Sequence, residues 1–181
     1  MLKTIIALTE FFTEKSSKKF AVLIEKEEYA LVAVNGKYTL IFFGSDSFKD
    51  WLENFSYLRV NHDSFPVGWT GQATSAFLDL QGYKITYVSG YSRGAAIALI
   101  YSYYFNVQAI VFSPPKISKT LLYWPLIPII IGSINDPVRF LPFGFNRPGC
   151  YIALDILSGG HFWKPGKYTH EIELALINYG Y

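Results

Sequence analysis

The sequence is poor in the residues that cross-link small domains or bind metal ions. It has one cysteine, Cys150, and three histidines among 181 residues. A single cysteine excludes an internal disulfide, and no Cys/His cluster has the spacing of a zinc site. We therefore expect neither a metal nor another cofactor.

Long apolar runs and an excess of one charge are also absent. The longest apolar stretch, Leu121–Ile131, contains two prolines and is far shorter than the roughly 20 residues of a spanning helix. Charged residues make up 17% and the net charge is +2, with only Lys15–Lys19 as a dense basic stretch. We expect no nucleic-acid partner and no transmembrane segment. Because Met1–Leu8 is too short for a signal peptide, a cytoplasmic location is the default expectation.

Apolar runs separated by turn residues predict short strands that alternate with helices. Asn35-Gly36 lies between two such runs and predicts a tight hairpin, because both turn positions need positive φ. The predicted strands are Tyr29–Val34, Lys37–Phe43, Lys84–Ser89, Val107–Phe112, Ile127–Ile134 and Cys150–Leu157. The predicted helices are Leu2–Glu14, Phe48–Phe55, Gln72–Leu80, Ala95–Tyr104 and Thr169–Tyr179, with Leu58–Gly71 irregular. This pattern predicts a compact α/β fold, with a mainly parallel central sheet and helices on both faces, in one domain over residues 1–181.

Gly90-Tyr91-Ser92-Arg93-Gly94 matches the nucleophile-elbow pattern Gly-x-Ser-x-Gly. The pattern directly follows a predicted strand and opens a predicted helix, as the motif requires. The sharp turn points the serine hydroxyl out of the sheet. Glycine is needed two residues away on either side, because side chains there would collide with backbone. We therefore predict Ser92 as the nucleophile of an α/β-hydrolase-like fold.

A serine nucleophile needs a base and a group that orients the base. The chain order in this fold class is serine, acid, histidine, which excludes His62. His161, in a Gly-rich loop after the last strand, is the preferred base. His170 is the alternative, although the start of a helix disfavours an imidazolium. Asp136 ends an apolar strand before a proline and is the preferred acid, with Asp155 inside the last strand as its rival.

An oxyanion hole needs two backbone N–H donors. One is expected from Arg93, the residue after the nucleophile. The other is expected from the loop after an earlier strand, which here is Gly44-Ser45. The sequence therefore predicts Ser45 and Arg93 as the oxyanion-hole residues.

Four blocks of the sequence resemble the class 3, fungal-type triacylglycerol lipase family, and they occur in the family's order. The blocks are Phe42–Leu52, Gly90–Gly94, Ile134–Pro142 and His161–Trp163. The resemblance implies that Ser45 contributes to the oxyanion hole, that Asp136 is the triad acid and that His161 is the base. Tyr91 and Arg93 stand where the family usually has His and Leu.

Together these residues predict a serine carboxylic-ester hydrolase of lipase or esterase type that works through an acyl-enzyme. The expected partner is a small-molecule ester or a lipid. An aromatic content of 18% favours an acyl chain and is compatible with a transient contact with a lipid surface. Two alternatives stay open. One is a hydrolase-like scaffold that binds a ligand or partner without chemistry, and the other is an acyltransferase or thioesterase with the same triad.

Overall fold

A computed structural model describes most of the chain. The described residues are 2–12, 19–44, 60–120, 122–141, 145–148, 151–156, 169–178 and 180. In this part the chain forms a seven-stranded sheet and four α-helices. The strands are β1 (Phe20–Glu25), β2 (Tyr29–Val34), β3 (Lys37–Phe42), β4 (Ile85–Tyr91), β5 (Gln108–Phe112), β6 (Ile129–Ser133) and β7 (Ile152–Ile156). The helices are α1 (Leu2–Phe11), α2 (Val67–Asp79), α3 (Arg93–Phe105) and α4 (Thr169–Asn178), and a 3-10 helix spans Pro137–Phe140.

The strands lie in the sheet in the order in which they occur in the chain. β1, β2 and β3 pair antiparallel, and β3 to β7 pair parallel. The sheet is therefore mostly parallel, as predicted. Parallel strands place all their carboxyl ends at one edge, so the segments that follow β3 to β7 meet there.

Apolar residues on the two faces of the sheet belong to two separate clusters. Leu40 and Phe42 of β3 pack in the cluster that holds α2 and α3, whereas Ile41 packs in the cluster that holds α1 and α4. β5 alternates in the same way, because successive side chains of a strand point to opposite faces. The sheet is thus covered by helices on both faces.

The predicted hairpin is confirmed, since Asn35 and Gly36 adopt φ values of 50° and 72° between β2 and β3. The structure differs from the sequence analysis at two other places. β1 was not predicted, because its short apolar run lies between charged residues. α2 begins at Val67 and not at Gln72, because burial of Trp69 overrides the low helix propensity of the glycines in its first turns.

The other predicted strands and helices lie within about two residues of the observed ends, except that α1 stops at Phe11. The helix predicted over Phe48–Phe55 lies outside the described residues. No helix in the described ranges has the length and apolar character needed to cross a membrane.

Candidate active site

The carboxyl edge of the parallel sheet brings together residues that are far apart in the chain. Gly44 follows β3, Ser92 follows β4, Ser113 follows β5 and Asp136 lies three residues beyond β6. The ends of β4 and β6 are separated only by β5, which corresponds to about 10 Å across the sheet. The predicted nucleophile and the predicted acid therefore lie at the same edge, two strands apart.

The two elbow glycines occupy positions where no other residue fits. A methyl group on Gly90 would lie 2.3 Å from the carbonyl carbon of Gly94, and one on Gly94 would lie 2.2 Å from the carbonyl oxygen of Phe42. Both contacts are with backbone, which cannot move aside as a flexible side chain does. The close packing of β3, β4 and the start of α3 thus depends on glycine at both positions.

Ser92 itself has a strained backbone. Its φ of 54° and ψ of −121° lie in a region that L-residues rarely adopt, at a cost of about 1–3 kcal/mol. The N–H of Ser92 donates to the carbonyl oxygen of Phe112 at 3.0 Å, and its own carbonyl oxygen accepts from the N–H of Ala95 at 3.0 Å. These bonds anchor the turn to β5 on one side and to α3 on the other. Such strain persists where the surrounding structure enforces it, and it is typical of functional sites.

The loop after β3 packs directly against the elbow. A methyl group on Gly44 would lie 3.0 Å from the carbonyl oxygen of Tyr91 and 3.9 Å from Cβ of Ser92. Arg93 is the first residue of α3, so its N–H has no acceptor within the helix. Ser45, the predicted second donor, lies outside the described residues. The backbone at Gly44, just before it, lies beside Ser92.

Asp136 is buried, with 2% of its surface exposed. Its Oδ1 accepts a hydrogen bond from the N–H of Val138 at 3.0 Å, and its own N–H donates to the carbonyl oxygen of Ser133 at 3.1 Å. Pro137 begins the 3-10 helix and holds Asp136 in an extended conformation. The carboxylate is therefore fixed by the backbone of its own turn.

Tyr91 connects the elbow electrostatically to Asp136. Burial raises the pKa of the Tyr91 hydroxyl well above its usual value, and the negative charge of Asp136 raises it further. The Tyr91 ring lies against Phe12, with the two ring centres 6.2 Å apart. Tyr91 thus stays neutral at physiological pH, with its ring near that of Phe12, the residue after α1.

The histidines and the rival acid are placed as follows. His161, the preferred base, lies outside the described residues. His170 is an exposed residue in the first turn of α4. His62 pairs with Asp63, with 3.0 Å between Nε2 and Oδ2. Asp155 lies in β7, where its backbone is aligned with Gly132 of β6.

Sequence analysis missed Ser113 and Glu28 at this edge. Ser113 is buried, adopts a φ of 46° and donates its N–H to the carbonyl oxygen of Ile131 at 2.8 Å. The carbonyl oxygen of Glu28 accepts from the N–H of Phe43 at 3.0 Å. The two prolines after Ser113 are the sequence signal for this position, because they end β5 directly before it. Glu28 gives no local signal, because its place depends on the pairing of β2 with β3.

In the described part of the chain, His, Cys, Asp and Glu side chains form no group of three or more that could hold a metal ion.

The structure is similar to a chain of the native Rhizomucor miehei lipase propeptide complex. The TM-score is 0.54 at 14% identity, over 78% of this chain and 62% of that one. Lip2 lipase from Yarrowia lipolytica gives a TM-score of 0.49 at 14% identity, over 77% of this chain and 66% of that one. The chain thus spans less than two thirds of the length of either protein. No family model and no curated protein matches the sequence. The likeness concerns the architecture alone, in that this chain and the Rhizomucor chain share a similar fold.

Proposed function

We propose that the chain is a serine carboxylic-ester hydrolase with an α/β-hydrolase fold, acting through an acyl-enzyme on Ser92. The observation that carries this proposal is the strained elbow at Ser92, held between Gly90 and Gly94 by backbone contacts that exclude any side chain. A turn of this shape presents a hydroxyl at the end of a strand and the start of a helix, which is where acyl transfer needs a nucleophile. The similarity to the Rhizomucor lipase chain supports the fold part of the proposal.

In the proposed reaction, Ser92 Oγ attacks the ester carbonyl while its proton passes to an imidazole. The imidazole then gives that proton to the leaving alcohol as the ester C–O bond breaks, and water releases the acid from the acyl-enzyme by the same steps. The N–H groups of Arg93 and Ser45 stabilise the oxyanion of each tetrahedral intermediate.

His161 is the proposed base, and Asp136 the acid that orients it. Support comes from the order of the strands, which sets the ends of β4 and β6 two strand spacings, or roughly 10 Å, apart. This separation suits an imidazole between Ser92 and Asp136. His161 follows β7 in the sequence, and β7 is the neighbour of β6, the strand that precedes Asp136. His170 is the weaker candidate, because its side chain is exposed and forms no hydrogen bond with the described residues.

The proposal is tested with a fluorophosphonate probe and p-nitrophenyl esters of short and long acyl chains. Wild type is expected to be labelled and to hydrolyse at least one ester. Ser92→Ala should lose labelling and at least about a thousandfold in kcat. Ser75→Ala, which changes an exposed serine of α2, is the matched control and should behave as wild type.

The same assay assigns the other two members of the triad. Asp136→Asn and His161→Ala should each lower kcat by at least about a thousandfold, whereas His170→Ala should not. Loss of activity in His170→Ala alone would transfer the role of base to that residue. Wild-type protein that is neither labelled nor active on any ester would overturn the enzyme proposal and favour a ligand-binding scaffold. Transfer of the acyl group to an added alcohol in preference to water would indicate an acyltransferase.

A further inference from the structure

Arg93 carries a positive charge that no acidic side chain pairs with among the residues the structure describes. The residue is half-buried directly after the nucleophile, and its Nε is buried without a hydrogen-bond partner among the described residues. Burial lowers the pKa of the guanidinium, against a smaller opposing effect of Glu28. A buried charged donor without an acceptor is costly to folding, so its retention needs a reason.

Glu28 does not serve as a direct partner of Arg93. Its carboxylate accepts a hydrogen bond from Nε2 of Gln72 at 3.3 Å. Within the described ranges, Arg93 forms no ion pair with an acidic residue. The guanidinium thus interacts with the charge of Glu28, while its Nε has no acceptor in the described part of the chain.

The position of Glu28 shows on which side of the nucleophile Arg93 carries its charge. Glu28 is hydrogen-bonded through its backbone to Phe43, one residue before the Gly44 loop that packs on the elbow. Asp136 acts instead on Tyr91, from the β6 side. The positive charge therefore belongs to the side of the site formed by β2 and β3, away from the triad acid.

We propose that Arg93 binds an anionic group of the substrate, so that the ester hydrolysed at Ser92 carries a carboxylate or a phosphate. A guanidinium presents several N–H donors in a plane, which suits two oxygens of such a group. A leucine at this position, as in the family that the sequence resembles, offers no such contact. This inference rests on the proposed function and names its substrate class.

The kinetic test compares matched esters that differ in one charge. One pair is p-nitrophenyl hydrogen suberate against p-nitrophenyl octanoate, with the charge on the acyl side. The other is 4-acetoxybenzoate against methyl 4-acetoxybenzoate, with the charge on the alcohol side. Wild type should prefer the anionic member of one pair in kcat/KM, and Arg93→Leu should reduce that preference by about tenfold to a hundredfold. Arg93→Lys should retain part of it, because it keeps the charge but loses the planar donor set.

Lys84→Leu is the matched control, since it makes the same change of charge at the opposite edge of the sheet, just before β4. It should leave both preferences unchanged. Circular dichroism establishes that each variant is folded. If Arg93→Leu slows both members of each pair equally, or if wild type shows no preference for an anion, Arg93 has no part in selecting the substrate.

A binding measurement keeps this inference separate from the proposed function. Calorimetry on Ser92→Ala compares the binding of octyl phosphate with the binding of octanol. Neither measurement depends on ester hydrolysis. Tighter binding of the phosphate that disappears in Ser92→Ala/Arg93→Leu supports an anion site even if no ester is hydrolysed. Equal binding of both ligands, in protein that labels with the fluorophosphonate when Ser92 is present, would overturn the anion site and leave the hydrolase proposal standing.

Discussion

Single glycines at the elbow decide whether the candidate site can form. Gly90→Ala would place a methyl group 2.3 Å from backbone of Gly94, and we expect it to lower the free energy of unfolding by about 2–4 kcal/mol. Gly71→Ala is the control, because Gly71 lies in α2 with no atom within 4 Å of the added methyl group. It should raise stability by about 1 kcal/mol through helix propensity. Urea unfolding measures both, and equal effects would contradict the close approach at Gly90.

Strain at Ser92 leads to a second prediction at the residue scale. Glycine adopts the φ of 54° and ψ of −121° without the clash that a Cβ brings. Ser92→Gly should therefore be more stable than Ser92→Ala by about 1 kcal/mol, after allowance for the greater flexibility of glycine in the unfolded chain. Both variants lack the hydroxyl, so they differ only in the Cβ methyl group and in its effect on the allowed backbone conformation. If Ser92→Ala were the more stable in thermal and urea unfolding, the elbow would not be strained.

Residue patterns predicted the elbow because its requirements are local. Gly90 and Gly94 sit at fixed distances from Ser92 in the sequence, and a strand before and a helix after them are visible in the pattern. The surroundings of Arg93 were not predictable in this way. Its relation to Glu28 depends on the pairing of β2 with β3 and on the packing of α2, which brings distant segments together.

At the scale of elements, a polar cluster ties the turn between β1 and β2 to the end of α2. Lys26 and the hydroxyl of Tyr29 both donate to Oδ2 of Asp79, at 2.6 and 2.8 Å. The hydrogen bond from Lys26 has the larger effect on the pKa of the Asp79 carboxyl, and the hydrogen bond from Tyr29 has the next largest. Both lower this pKa below its usual range. Because the pKa of Asp79 is lower in the folded state, its interactions stabilise the fold at pH values above the pKa of the unfolded chain. This stabilisation is lost as the pH falls through the pKa of the folded state.

Asp79→Asn tests this cluster. The variant should be less stable than wild type above about pH 5, and the difference should shrink as the pH falls below about 4. Urea unfolding at a series of pH values measures it. Glu27→Gln, which changes an exposed acid outside the cluster, should give a curve that runs parallel to that of wild type. A difference for Asp79→Asn that stays constant down to about pH 2 would contradict the shift.

Elements also differ in how far the sequence predicted them. β2 and β3 were predicted because Asn35-Gly36 specifies the turn between them. The start of α2 was not, because Gly68 and Gly71 have low helix propensity and only the burial of Trp69 in the tertiary structure stabilises that first part. Local sequence signals were thus sufficient to predict the hairpin. They were not sufficient to predict the first residue of α2, which depends on tertiary packing.

At the scale of the whole molecule, the strained elbow lies between the most enclosed elements. Every residue of α3 from Gly94 to Ser102 is buried, and β4 and β5 are interior strands of the sheet. β1 ends the sheet in the described part of the chain and exposes most of its residues. Stability within one molecule varies with such burial. The scaffold around Ser92 should therefore open only when the whole domain unfolds.

Native-state hydrogen exchange followed by mass spectrometry tests this arrangement. Peptides from β4 and α3 should exchange with a free energy close to that of global unfolding measured in urea. Peptides from β1 and α4 should exchange through smaller local openings, because edge strands and exposed helices have fewer buried contacts. In Gly90→Ala, protection of β4 and α3 should fall by more than that of β1. Protection of β1 equal to that of β4 would mean that the sheet opens as one unit, and the elbow would then depend on the stability of every strand.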